Sequence, residues 1–206
     1  MGGAGCEAFD RLLVRGDIFD MGLFDVILGR SELPEPKVER QFAISTAAIT
    51  MEAKMGLKAA GTAGVCIKPV ESSAYQRVAA EIEDLLRIGA KQSGTEWEVR
   101  KDEYGYLWVV LRDPEFEDIV ATVQMTAQIL TEQGFGPQLL CAVYPFSGDF
   151  RAYWIFNFKQ GNYYPFVPRG KERDVQMELR LRAALEAELP IEKDLSRWYP
   201  LWGMPV

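Results

Sequence analysis

Ala142-Val-Tyr-Pro-Phe-Ser-Gly-Asp-Phe-Arg-Ala-Tyr-Trp-Ile-Phe-Asn-Phe-Lys-Gln-Gly-Asn-Tyr-Tyr-Pro-Phe166 decides the fold. Successive side chains of a strand point to opposite faces. Ala152, Trp154, Phe156 and Phe158 therefore share one face, and Tyr153, Ile155 and Asn157 the other. Ser147-Gly-Asp149 and Gln160-Gly-Asn162 have turn composition, so residues 139–145, 150–159 and 163–167 predict an antiparallel meander. The tryptophan face is expected to be core and the other a partly covered sheet face. Tyr153, Ile155 and Asn157 are accordingly the candidate protein-binding residues.

Upstream, residues 95–101 and 106–112 flank Asp102-Glu-Tyr-Gly105 as a hairpin. The second strand, Tyr106-Leu-Trp-Val-Val-Leu-Arg112, is apolar on both faces and is expected inside the sheet. Asp113-Pro-Glu115 opens a helix, Phe116, Ile119, Val120, Val123, Ala127 and Leu130 form its buried stripe, and Gly134 ends it. Ser72 and Ser73 cap another helix, with Tyr75, Val78, Ala79, Ile82, Leu85 and Leu86 on one face. Ala48–Glu52 and Ala63–Lys68 have strand-like patterns. A last helix is expected over 171–189, stopped by Pro190. The tail Trp198-Tyr-Pro-Leu-Trp-Gly-Met-Pro-Val206 is too apolar to stay in water and should dock on the body. Consecutive hairpins without regular βαβ alternation point to one α+β domain: a mainly antiparallel twisted sheet with about three principal helices, two on one face.

The 206 residues contain no histidine. That removes the usual general base and a very common metal ligand, and with them the familiar serine, cysteine and zinc sites. A net charge of −7 with no Lys/Arg run argues against nucleic acid as a partner. Cys6, Cys66 and Cys141 are odd in number and lie in unrelated contexts. They point to a reducing compartment, read as cytoplasm, rather than a disulfide-stapled secreted domain. Residues 1–10 lack the basic and apolar regions of a signal peptide, and no apolar run reaches transmembrane length.

Candidate chemistry is thin. Cys66 and Cys141 fall in strands and read as buried small hydrophobes. Glu96 with Glu98, Asp102 with Glu103, and Glu115, Glu117 and Asp118 read as solvated faces or helix-dipole partners. Gly56, Gly61 and Gly64 precede a strand, whereas a phosphate loop runs from strand to helix. Catalytic, cofactor and metal residues are therefore all read as none. Leu23, Phe24, Ile27 and Leu28 form a short apolar face that could touch a membrane surface, but Arg30 is its only base and packing on the body is the better reading.

Several strings occur in order: Met21-Gly-Leu-Phe-Asp25, Ala47-Ala-Ile-Thr50, Gly64-Val-Cys-Ile-Lys-Pro-Val-Glu71, Asp102-Glu-Tyr-Gly-Tyr106, Gly134-Phe-Gly-Pro-Gln-Leu-Leu-Cys141, Tyr163-Tyr-Pro-Phe166, Leu189-Pro-Ile-Glu-Lys-Asp-Leu-Ser-Arg-Trp198 and Trp202-Gly203. With these, residues 21–206 closely resemble the PspA-associated protein B family, and residues 1–20 stand outside the pattern as an extension. The resemblance implies a cytoplasmic protein of the phage-shock envelope-stress system, with phage-shock protein A or an HtpX-type membrane metalloprotease system as protein partner. It implies no catalytic residue or cofactor. The order of elements is also similar to YbjN-like and type III secretion chaperone-like domains, an analogy of fold alone. The leading expectation is a non-enzymatic adaptor or regulator acting through protein contacts. The alternative is a small hydrolase or other enzyme using carboxylates or a thiol without histidine.

Overall fold

A computed structural model describes residues 38–68, 80, 82–84, 86–87 and 94–206. The expected helix start at Ser72 and Ser73 and the apolar face at 23–28 lie outside these residues. Element order is a 3-10 turn, Val38–Phe42, then α1 (Ala43–Met55), β1 (Lys58–Ala59), β2 (Thr62–Ile67), β3 (Glu96–Lys101), β4 (Leu107–Arg112) and α2 (Phe116–Glu132). Then come β5 (Leu139–Ser147), β6 (Arg151–Asn157), β7 (Asn162–Phe166), the small hairpin β8 (Pro168–Arg169) with β9 (Glu172–Arg173), and α3 (Val175–Leu185). Residues 80, 82–84 and 86–87 are also helical, and Ile82 and Leu86 point into the core.

The sheet runs β3-β4-β2-β5-β6-β7, with β1 added against β5, and every pairing is antiparallel. β4 lies between β3 and β2, as its two apolar faces require. The expected meander forms, with Tyr144 opposite Trp154 and Ile155 opposite Tyr164.

On one sheet face, α1, α2 and α3 close a core around Trp154, Phe156, Phe158 and Tyr144. α2 buries Ile119, Val120, Val123, Ala127 and Leu130, and Gly134 takes the positive φ of 84° at which the chain turns away. Its start is shifted from the expected one. Helical geometry begins at Phe116 after Glu115 at the cap, and Asp113 works two residues before that cap, its carboxylate accepting from the Glu115 N–H at 2.9 Å and the Thr95 hydroxyl at 2.7 Å.

Two expectations need correction. Ala48–Glu52 is helix, not strand: Ile44, Ala47 and Met51 at helical spacing are the buried positions, while Ile49 is 71% exposed. The last helix is also shorter than 171–189. Pro168 and Gly170 build the β8–β9 hairpin first, and Asp174 then caps α3 by accepting from the Met177 N–H at 3.0 Å.

Candidate functional site

Cys66, Tyr106, Trp108, Val110, Cys141, Val143, Tyr153, Ile155, Tyr164 and Phe166 line the second sheet face. The tail lies across it, burying Trp198, Tyr199 and Leu201, with Trp202, Met204 and Val206 packed alongside. Tyr153 stacks on Phe166 with ring centres 6.0 Å apart, and Trp202 meets Phe166 edge-on at 4.9 Å. Val206 is seated where β2 carries Gly64; a Cβ at that position would lie 2.8 Å from the valine Cγ1. Glycine is the residue that admits this approach.

Tyr153, Ile155 and Asn157, expected on a partly covered face, are 7%, 0% and 6% exposed. Alternation put Tyr153 and Ile155 together on the correct side, but the tail fills that side. Asn157 holds the β6–β7 turn, its side-chain carbonyl accepting from the Lys159 and Gln160 N–H groups at 3.0 and 3.1 Å.

A buried ion pair fastens the tail. The guanidinium of Arg173 donates to both Glu178 carboxylate oxygens, the shortest contact being 2.6 Å, and its remaining arm donates to the Trp198 carbonyl at 2.6 Å. Glu178 also accepts from the Val167 N–H at 3.0 Å, so one carboxylate joins α3, the β7 exit and the tail. The Trp198 indole donates to the Glu192 carbonyl at 3.0 Å. Just upstream, Tyr163 N–H donates to the Pro190 carbonyl and Glu192 N–H to the Tyr163 carbonyl, both at 2.8 Å, so the chain pairs along the edge of β7. Arg173 and Glu178 were not singled out from sequence. The signal was present, because Glu178, Leu181 and Leu185 form a single helical stripe and all three are buried.

The candidate chemical groups separate into structural roles. Asp102 accepts from the Tyr104 and Tyr106 N–H groups at 3.0 and 2.8 Å and from the Trp108 indole at 2.8 Å, which fixes the β3–β4 turn against the tail. Glu98 binds Arg112 and Arg100 on the outside of the sheet, and these hydrogen bonds hold its carboxyl below the usual carboxylate range. Glu117 and Asp118 lie in the first turn of α2, where the helix dipole favours them. Gly56 caps α1 at φ 64°, and Gly61 turns the chain into β2 at φ 68°. Cys66 and Cys141 are both buried thiols on the tail-covered face. Beside them the Tyr164 hydroxyl is buried without a hydrogen-bond partner. Burial, and then the neighbouring Cys141, push its ionisation well above the ordinary tyrosine range.

Among the described residues no group of three His, Cys, Asp or Glu is placed to hold a metal ion, and no helix is long and apolar enough to cross a membrane. No curated protein and no solved structure matches the chain, so its likeness to YbjN-like domains stays one of element order. One family model does match, over residues 21–206, and it is described as PspA associated protein B. With that match spanning most of its length, the chain belongs to the PspA associated protein B family.

Proposed function

We propose that this protein is a non-enzymatic adaptor or regulator that binds phage-shock protein A in the envelope-stress response. The observation that carries the reading is the family match over residues 21–206, whose description ties the chain to PspA. Chemistry supports it: the sequence has no histidine to act as a general base near neutral pH. Among the described residues the buried carboxylates, Asp113, Glu178 and Glu192, are engaged in a helix entry, an ion pair and a turn, and the half-buried Asp102 holds the β3–β4 turn. Action is proposed in the cytoplasm, with an HtpX-type membrane metalloprotease as a further partner and residues 1–20 as an extension outside the binding domain.

With the tail on the second sheet face, contact through Tyr153 and Ile155 requires the tail to leave. The surface better suited to the adaptor reading is the outward side of α1. Phe42, Thr46, Ile49 and Ala53 are exposed at successive helical steps. No charged residue occurs from Gln41 to Met51, which is the composition of an interface core rather than of a solvated helix. Ile49→Glu should weaken binding of purified PspA at least tenfold, measured by titration calorimetry, while the circular dichroism of the variant stays native. Native-strength binding by the folded variant would remove α1 as the contact, and the absence of any PspA binding by the unaltered chain would remove the function.

A further inference from the structure

Cys66 and Cys141 stand directly opposite each other in the β2–β5 register, and both point to the tail-covered face. They lie far apart in sequence and gave no motif; the pairing is made by the sheet. Cβ atoms of directly opposed antiparallel residues are typically ~4.5–5.5 Å apart, and a disulfide needs ~3.5–4.5 Å. Closing the bond therefore asks for a local movement of about 1 Å. A strand irregularity lies between Cys66 and Ile67, immediately beside the pair, where it interrupts the regular ladder.

We propose that Cys66 and Cys141 are a reversible dithiol–disulfide site, oxidised by peroxide and gated by the C-terminal tail. Cys66, 4% exposed against 0% for Cys141, is the first to react. Its thiolate sulfur attacks one oxygen of the peroxide, the O–O bond breaks, and the departing hydroxide leaves as water after taking up a proton. The Cys141 sulfur then displaces the hydroxyl of the Cys66 sulfenic acid. An S–S bond forms and a second water leaves, carrying the Cys141 proton. Each sulfur loses one electron, and the peroxide takes up two. Exchange with a small thiol reverses the bond.

Burial gives the site its selectivity. A thiol buried on the face that the tail covers meets solutes when the tail lifts, and a partner thiol across the strand then intercepts the sulfenic acid before further oxidation. Tyr164, whose unpartnered hydroxyl lies close enough to feel charge on Cys141 and Cys66, supplies a polar neighbour in an otherwise apolar setting.

The test uses the full chain carrying Cys6→Ser, folded and treated with hydrogen peroxide, then unfolded, alkylated and digested. The expected result is a monomer that has lost the mass of two hydrogens. Neither thiol is alkylated, and a peptide linked through Cys66 and Cys141 separates on reduction. Two thiols that stay fully alkylatable, a sulfinic acid at Cys66 without a link, or a bond between two chains would each overturn the proposal. Cys141→Ser added to this chain is expected to leave Cys66 oxidised but unlinked. A chain ending at Gly203 should form the link several-fold faster, and an equal rate would overturn the gating by the tail.

Discussion

Glu178 is 0% exposed at the start of a helix whose neighbouring positions are solvated, and its partner Arg173 keeps 24% of its side-chain surface in water. An unpaired buried charge is costly, so truncating one member of such a pair typically loses about 3–5 kcal/mol. Glu178→Ala should fall toward the lower end of that range, because the arginine it strands is partly hydrated. A urea titration would measure this, and a loss below about half a kcal/mol would show that the pair is a surface contact. The same residue shows what sequence leaves hidden. Its spacing to Leu181 and Leu185 places it on the buried stripe, yet a glutamate in a first turn is ordinarily explained by the dipole. What distinguishes it is Arg173, on the second strand of a hairpin that occupies the start of the stretch expected to be helix. Cys66 and Cys141 are a second case: each was legible as a buried small side chain, while their opposition depends on which strands become neighbours.

At the scale of elements, the long strands were readable, whereas α1 and the short β8–β9 hairpin were not. β4 was placed inside the sheet because both its faces are apolar, and α2 because its buried residues repeat at helical spacing for four turns and stop at a glycine. α1 misled because Ala48-Ile-Thr-Met-Glu52 alternates locally, and a short apolar run does not separate strand from helix by itself. The deciding residues, Ile44 and Ala47, precede that window, and Gly56 at positive φ closes the helix. The assignment has a direct consequence. Met51→Ala should destabilise by about 2–5 kcal/mol, whereas Ile49→Ala, on the opposite side, should change stability by no more than about half a kcal/mol. In a strand the two would lie on one face and cost alike, so equal losses in thermal or chemical denaturation would contradict the helix.

For the molecule as a whole, the central strands of the sheet are enclosed on both sides, by helices on one and by the tail on the other. Docking of the tail was legible from its apolar content, but not its destination, because nothing in a run of Trp, Tyr and Leu names the face it will cover. That destination is why Tyr153 and Ile155 became core rather than surface. Trp198, buried and hydrogen-bonded through its indole to the Glu192 carbonyl, anchors the enclosure. Trp198→Ala should cost about 3–5 kcal/mol, and a near-neutral effect on the denaturation midpoint would show that the tail is loosely held. Tyr153→Glu should unfold the chain instead of yielding a folded protein with a damaged surface, since it replaces the ring stacked on Phe166 with a carboxylate that is costly to bury. Retention of native near-ultraviolet circular dichroism by that variant would show the face to be open.

Hydrogen exchange followed by mass spectrometry, with and without purified PspA, tests the enclosed sheet and the outward α1 surface together. In the free chain, amides of β6 and the Tyr163 and Glu192 amides that pair the chain along β7 should exchange as slowly as the slowest in the protein, opening only with global unfolding. Adding PspA should slow exchange in peptides covering α1 and leave β6 unchanged. Rapid exchange along β6 in the free chain, with PspA protection falling on Arg151–Asn157 instead of α1, would contradict both the closed face and the proposed contact.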